Sequence, residues 1–246
     1  MTKVLRTTPH PGNGNPRPLT TGNFDCLANS YCWWEYLIFG TGLQRARLHY
    51  LPALRGARNV LLIGDGDGRF LEQLMRYNRQ AQCLSIDTSL KMIRRARQRC
   101  SPNERKRVNW VHGNVLDYNF AQYTFDAVVT LFVFDLLPPG QRADLLDALL
   151  PQTTPHALWL YADFSPTDTL RKQLWIEVLK AFFRLTCAVS ATHLDCAIPQ
   201  LKRQGFELQA HTHFGRQLYG AALLRRGGKN RRDQRMPVTT TNRKMN

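Results

Sequence analysis

Apolar residues along this chain come in short unbroken runs, separated by stretches in which they recur at helical spacing. The runs predict strands at 59–64, 82–87, about 107–112, 125–131 and 157–162. Gly205-Phe206 opens a sixth strand, and 217–224 predicts a seventh. Between the runs, Phe70, Leu71, Leu74 and Met75 share one face of a helix at about 67–77. Leu90, Ile93 and Ala96 do the same at 89–100, with Thr88 or Ser89 as N-cap. Leu145, Leu146, Leu149 and Leu150 mark a helix after Pro138-Pro139-Gly140, and Leu170 to Phe183 mark a long one at about 167–187. Continuous apolar strands alternating with helices imply a mostly parallel sheet covered on both faces. Only His213-Phe214-Gly215-Arg216 separates the last two strands, which fits a hairpin and one antiparallel strand.

The ends break this pattern. Residues 1–22 are rich in Pro, Gly, Thr and Asn and read as disordered, as does a basic tail at 226–246. Residues 23–55 open with Phe24, Tyr31, Trp33, Trp34, Tyr36 and Phe39, and read as a helical cap broken near Gly40-Thr41-Gly42. The folded domain is therefore expected at 23–225, with its α/β core at 56–225.

Charge changes the picture less than its size suggests. The net charge is +16, but 225–246 carries +7 of it and 1–22 carries +3. Weak contact of these ends with anionic membrane or nucleic acid is expected. Lys91, Arg94, Arg95, Arg99, Arg105, Lys106 and Arg107 form a further cluster, for which a solvated helix face is the expectation. No run approaches the length of a membrane span, and the first residues lack a signal-type apolar stretch, so a cytoplasmic protein is expected. The six cysteines are scattered without a C-x-x-C pair, which gives no basis for a disulfide framework or a metal site.

The candidate chemistry starts at Gly64-Asp65-Gly66-Asp67-Gly68. A strand that ends in spaced glycines and turns into a helix brings bare backbone close to a ligand. Asp87 ends the next strand, 19 residues after Gly68, where a carboxylate can accept both hydroxyls of a ribose. The spacing is tighter than the dinucleotide fingerprint, which fails at Arg69, and no phosphate-binding G-x-x-x-x-G-K-[ST] occurs.

The G-x-G-x-G loop and Asp87 resemble the first two motifs of the class I S-adenosylmethionine-dependent methyltransferases, over roughly residues 24–225. The resemblance implies a Rossmann-like α/β fold: a seven-stranded, mostly parallel sheet with one antiparallel strand, helices on both faces and an N-terminal helical cap. It implies S-adenosylmethionine as cofactor, with Gly64, Asp65, Gly66 and Gly68 near its methionine and ribose parts. Asp87 and Thr88 would serve the ribose, Asn114 and Val115 the adenine, and Met92 and Leu131 would complete the surround. One departure stands out. The family usually has an acid two residues before the first glycine, and here that residue is Leu62. Asp65 is the nearest substitute.

The acceptor is less legible. Thr130 to Asp135 leaves strand four without the N/D-P-P-Y/F/W or Pro-Cys sequences of base-methylating enzymes. Asp135 either serves an acceptor or caps the turn that follows. Asp163, in Asp-Phe-Ser, stands where quinone- and lipid-type relatives often have an acid, and either meets substrate or caps the next helix. His211 and His213, two apart, are expected on one face of strand six. Phe24-Asp25 and the aromatic segment resemble the quinone-biosynthesis type of cap, which favours an apolar or planar acceptor. The reading is methyl transfer to a small-molecule or lipid-like acceptor. Its rivals are a non-catalytic or RNA-associated protein of the same fold, and a polyamine aminopropyltransferase, which the absence of an acidic gate after strand four discounts.

Overall fold

The computed structural model describes residues 5–6, 41–165 and 196–227. The expected aromatic segment at 23–40, the helix at 167–187 and most of both chain ends lie outside the described residues.

Seven strands carry the fold: β1 (Asn59–Ile63), β2 (Gln82–Asp87), β3 (Val108–His112), β4 (Phe125–Leu131), β5 (Thr153–Phe164), β6 (Phe206–Phe214) and β7 (Tyr219–Arg226). Their order in the sheet is β3-β2-β1-β4-β5-β7-β6, and among these seven β7 runs opposite to the rest. Leu5–Arg6, inside the segment expected to be disordered, adds a two-residue parallel strand beside β3. Strand β5 begins four residues earlier than its apolar run. Thr153 there meets the Arg226 guanidinium, whose Nη1 donates to the Thr153 carbonyl and hydroxyl.

The helices are α1 (Gly42–Leu48), α2 (Arg69–Tyr77), α3 (Leu90–Arg99), α4 (Pro102–Arg105), α5 (Pro139–Leu149) and α6 (Ile198–Arg203). α2 forms because Phe70, Leu71, Leu74 and Met75 make one apolar stripe, and all four are fully buried. α3 starts where Ser89 Oγ accepts the Met92 N–H at 3.2 Å. The short α4 has a complete capping box between Ser101 and Glu104. Alternate residues of β1 face opposite layers. Val60 and Leu62 pack with α2, α3 and the 3-10 turn Leu51–Gly56, while Leu61 and Ile63 pack with α5 and α6.

Lys91, Arg94, Arg99 and Lys106 of the basic cluster are exposed, as a solvated face requires, but Arg105 and Arg107 turn to backbone. Arg107 donates to the carbonyls of Met75, Asn78 and Ala81, at the end of α2. Arg105 Nε donates to the carbonyls of Arg97 and Cys100. Carbonyls at a helix end have no intrahelical donor, and a guanidinium satisfies several of them at once. Among the described residues, no helix is long and apolar enough to cross a membrane.

Asn78 closes the same corner. It is buried, its amide donates to the carbonyls of Leu54 and Ala57, and its oxygen accepts from Gln80 and Ala81. Asn78→Ala leaves these groups without partners and is expected to lower the unfolding free energy by about 2–4 kcal/mol. A urea titration checks this: the midpoint should drop while the slope stays constant.

Candidate cofactor site at the carboxyl edge of the sheet

Register builds the site. Ile63 pairs with Ile86 on one side and Thr130 on the other. The next residues, Gly64, Asp87 and Leu131, therefore emerge side by side from the carboxyl edge. Strand order reverses between β1 and β4, and in open α/β sheets the crevice at that reversal is where ligands bind.

Gly64, Gly66 and Gly68 all have positive φ, at 64°, 66° and 86°. Two of them need glycine for different reasons. A Cβ on Gly68 would come within 2.4 Å of Ala96, so the loop lies directly on α3. A Cβ on Gly66 would meet no described residue within 4 Å, so among the described residues its backbone is open. Asp87 ties this loop to its neighbour: Oδ2 accepts the Gly66 N–H at 3.2 Å and Oδ1 accepts the Ser89 N–H at 2.8 Å. Its carbonyl accepts the Gly113 N–H, which brings Asn114 and Val115 to the same edge.

Two further acids brace the loop. Asp65 accepts the N–H groups of Leu71 at 2.9 Å and Phe70 at 3.4 Å, across the first turn of α2. Burial raises its pKa to about 7, against the lowering effects of the Leu71 N–H and the Arg47 charge. Asp67 receives Arg99 twice, its carboxylate at 2.7 Å and its carbonyl at 2.8 Å, and also pairs with Arg69. Sequence reasoning missed the Asp67–Arg99 bracket, because the partners are 32 residues apart. Arg99 is itself exposed and still reaches the loop.

The other expected site residues fall as follows. Leu62 is fully buried among apolar side chains, so no carboxyl stands two residues before Gly64. Asp65 directs its oxygens to α2 instead. Thr88 is exposed beside Asp87, and its carbonyl meets His112 Nε2 at 3.1 Å. Met92, Val115 and Leu131 are buried. Asn114 Oδ1 accepts the Leu116 N–H at 3.1 Å, and its amide donates to Asp117. Asp135 and Asp163 are both buried and adjacent, the Asp135 N–H donating to Asp163 Oδ2 at 3.0 Å. His211 and His213 share a face, ring centroids 4.3 Å apart, on the strand farthest from β3.

An open groove of about 760 Å³ runs from Arg69, the residue after Gly68, along α1 to the end of β6. Arg45, His49 and His213 line it with Leu48 and Phe214. Tyr50 and His49 both reach the Thr212 hydroxyl at its rim, at 2.9 and 3.2 Å.

A family model described as a methyltransferase domain matches residues 60–155. No curated protein is significantly similar to the chain in sequence. Solved structures are similar in fold. A SAM-dependent methyltransferase from Archaeoglobus fulgidus superposes with a TM-score of 0.61 at 16% identity, over 80% of this chain and 99% of that one. The N-methyltransferase NodS from Bradyrhizobium japonicum, in complex with S-adenosyl-L-homocysteine, gives 0.54 at 18% identity, over 75% and 83%. The pyocyanin biosynthetic protein PhzM gives 0.56 at 16% identity, over 75% of this chain, which spans 55% of the length of PhzM. The β3-β2-β1-β4-β5-β7-β6 sheet and the glycine loop at its reversal point agree with these findings: residues 60–155 match a methyltransferase domain, and the chain has the fold of the solved S-adenosylmethionine-dependent methyltransferases.

Proposed function

We propose that the protein binds S-adenosylmethionine at the Gly64–Gly68 loop and transfers its methyl group to a small-molecule or lipid-like acceptor. The observation that carries this reading is the convergence of Gly64, Gly66 and the Asp87 carboxylate at the strand reversal, with no described residue crowding Gly66. A carboxylate offers acceptor sites on both oxygens, so Asp87 can take ribose hydroxyls beside the two backbone N–H groups it already accepts. When bound, the cofactor supplies a methyl on a positively charged sulfur, which is already activated for displacement. The chain then has to hold acceptor and donor in line and exclude water. Gly66 offers its backbone, Asp87 orients the ribose, and Asn114 with Val115 flanks the adenine. Asn114 Oδ1 keeps a second lone pair beyond the one used by Leu116.

The groove beside Arg69 has a volume suited to a small molecule. Its apolar wall of Leu48 and Phe214, beside Arg45, His49 and His213, favours an acceptor with an apolar body and an anionic group. PhzM, named for pyocyanin biosynthesis, and NodS, named as an N-methyltransferase, lend support to small acceptors. Leu62 favours a second reading, a protein of this fold that binds no cofactor, because the usual carboxyl is replaced by a buried apolar side chain.

Calorimetry separates the two. Titration of S-adenosylmethionine should give micromolar binding, and absence of heat together with no thermal shift at millimolar ligand leaves only the second reading. Asp87→Ala should weaken that binding by about 1.5–3 kcal/mol, as expected for hydrogen bonds to a charged group. Unchanged affinity in a folded variant would confine Asp87 to bracing Gly66 and Ser89. The basic ends are expected to be dispensable for cofactor binding. A chain of residues 23–226 should keep its affinity and lose salt-sensitive retention on anionic vesicles or nucleic acid. Loss of cofactor binding in that folded chain would make the ends part of the site.

A further inference from the structure

The exits of β4 and β5 lie side by side, because Leu131 pairs with Ala162. Two acids follow them, Asp135 and Asp163, exposed by only 5% and 4%. Asp163 Oδ2 accepts the main-chain N–H of Asp135, and Oδ1 accepts the N–H of Phe164 at 2.9 Å. The two carboxyls are near enough to act on each other electrostatically. Asp135 Oδ1 finds no N–H or hydroxyl donor among the described residues. Two buried carboxylates this close repel when both are ionised, which favours one of them keeping its proton.

The surroundings say which one. Arg142 on α5 is fully buried, and its charge acts on Asp135. Tyr161 on β5 adds a hydroxyl, with Cys196 beside it. One guanidinium balances one carboxylate in a low-dielectric setting, not two. Burial raises the pKa of Asp135 to about 6 and that of Asp163 well above the usual carboxylate range, where the Asp135 charge pushes it further. Asp163 therefore holds the proton and Asp135 the charge.

What this pair grips is the strand-four exit. Phe132 sits at φ 59°, a left-handed conformation unusual for a bulky residue, with its ring 5.1 Å from the Arg47 guanidinium. Arg47 in turn acts electrostatically on Asp65 in the glycine loop. Val133 presses on the loop itself: a Cβ at Gly64 would fall 2.8 Å from Val133 Cγ2. Phe134 is buried against Trp159 and Tyr161. The segment is anchored by Phe134 and by the hydrogen bond that Asp163 receives at Asp135.

We propose that Asp163 and Asp135 are a positioning pair for methyl transfer, a one-proton clasp that holds the strand-four exit against the glycine loop. The inference rests on S-adenosylmethionine binding at that loop. Raising the pH sends the shared proton to solvent and leaves two buried carboxylates beside Arg142. Their repulsion releases the Asp135 turn, and with it Val133. The sign follows from linkage: a carboxyl whose pKa is raised in the folded state stabilises that state at low pH, and the contribution is lost as pH rises through the raised value.

The test is the affinity for S-adenosylhomocysteine, by calorimetry, from about pH 6 to about pH 9. It compares the full-length wild type with Asp163→Asn and Asp163→Ala, each checked for folding by thermal melting. Asparagine keeps a donor towards Asp135 and an acceptor for its N–H but does not titrate. Wild-type affinity should fall as pH rises, and Asp163→Asn should bind with a flat profile. Asp163→Ala should bind about tenfold more weakly than the wild type at the low-pH end, the loss of a charge-assisted hydrogen bond, with the difference narrowing as pH rises. Asp65 titrates nearby and is kept in all three proteins. If Asp163→Asn reproduces the wild-type profile, the pH dependence belongs to Asp65 and the proposal is overturned. Wild-type affinity in Asp163→Ala overturns it too. Failure of the wild type to bind at every pH removes the cofactor reading along with the clasp, so the two failures are told apart.

Discussion

The carboxyl edge of this protein depends on one constraint, the hydrogen-bonding of β1 on both sides by parallel strands in fixed register. Ile63 sits in one row with Ile86 and Thr130, and a single-residue slip would turn every side chain of β1 to the other layer. Leu61 and Leu62 are both fully buried on opposite faces, so a slip gains nothing on either side and breaks the rows. With register set, Gly64, Asp87 and Leu131 have to emerge together. The positive φ of the glycines then turns the chain sharply enough to lay Gly68 on Ala96 and start α2.

Several charged side chains of this fold join backbone groups to one another. Arg107, Arg105 and Arg99 each reach main-chain carbonyls, those of Met75, Asn78 and Ala81, of Arg97 and Cys100, and of Asp67. Asp65, Asp87 and Asp163 do the converse, accepting main-chain N–H groups at the start of α2, at Gly66 with Ser89, and at Asp135 with Phe164. A guanidinium supplies several donors in a fixed fork and a carboxylate several acceptors. Arg99 and the three aspartates thereby hold loops at the carboxyl edge where a ligand would arrive, while Arg107 and Arg105 fasten the turns before β2 and after α3.

The replacement of the usual acid by Leu62 is easier to understand in this setting. A carboxyl there would be fully buried, flanked by Ser85 and Val129 and packed among apolar side chains, and would need a partner to offset its desolvation. The loop is instead braced from Asp65, Asp67 and Asp87, all of which lie beyond the last apolar residue of their strand.

The sequence by itself determined the layers of the fold and the place of the ligand edge. Apolar runs at β1, β2, β4 and the β6–β7 hairpin, the stripe of α2 and the Ser89 cap are local signals, because side-chain periodicity and capping act over a few residues. The glycine loop and Asp87 were legible for the same reason, as each closes its own strand. Tertiary structure alone decided which strands neighbour one another, and hence everything that crosses between them. The pairing of Asp67 with Arg99 over 32 residues and of Asp135 with Asp163 over 28 could not be read from the chain, nor could the press of Val133 on Gly64. Such contacts depend on the sheet order, and no pattern within a window of residues encodes which distant exit will lie beside which. The burial that makes one carboxyl keep its proton is likewise a property of the assembled edge, since in the extended chain both acids face water.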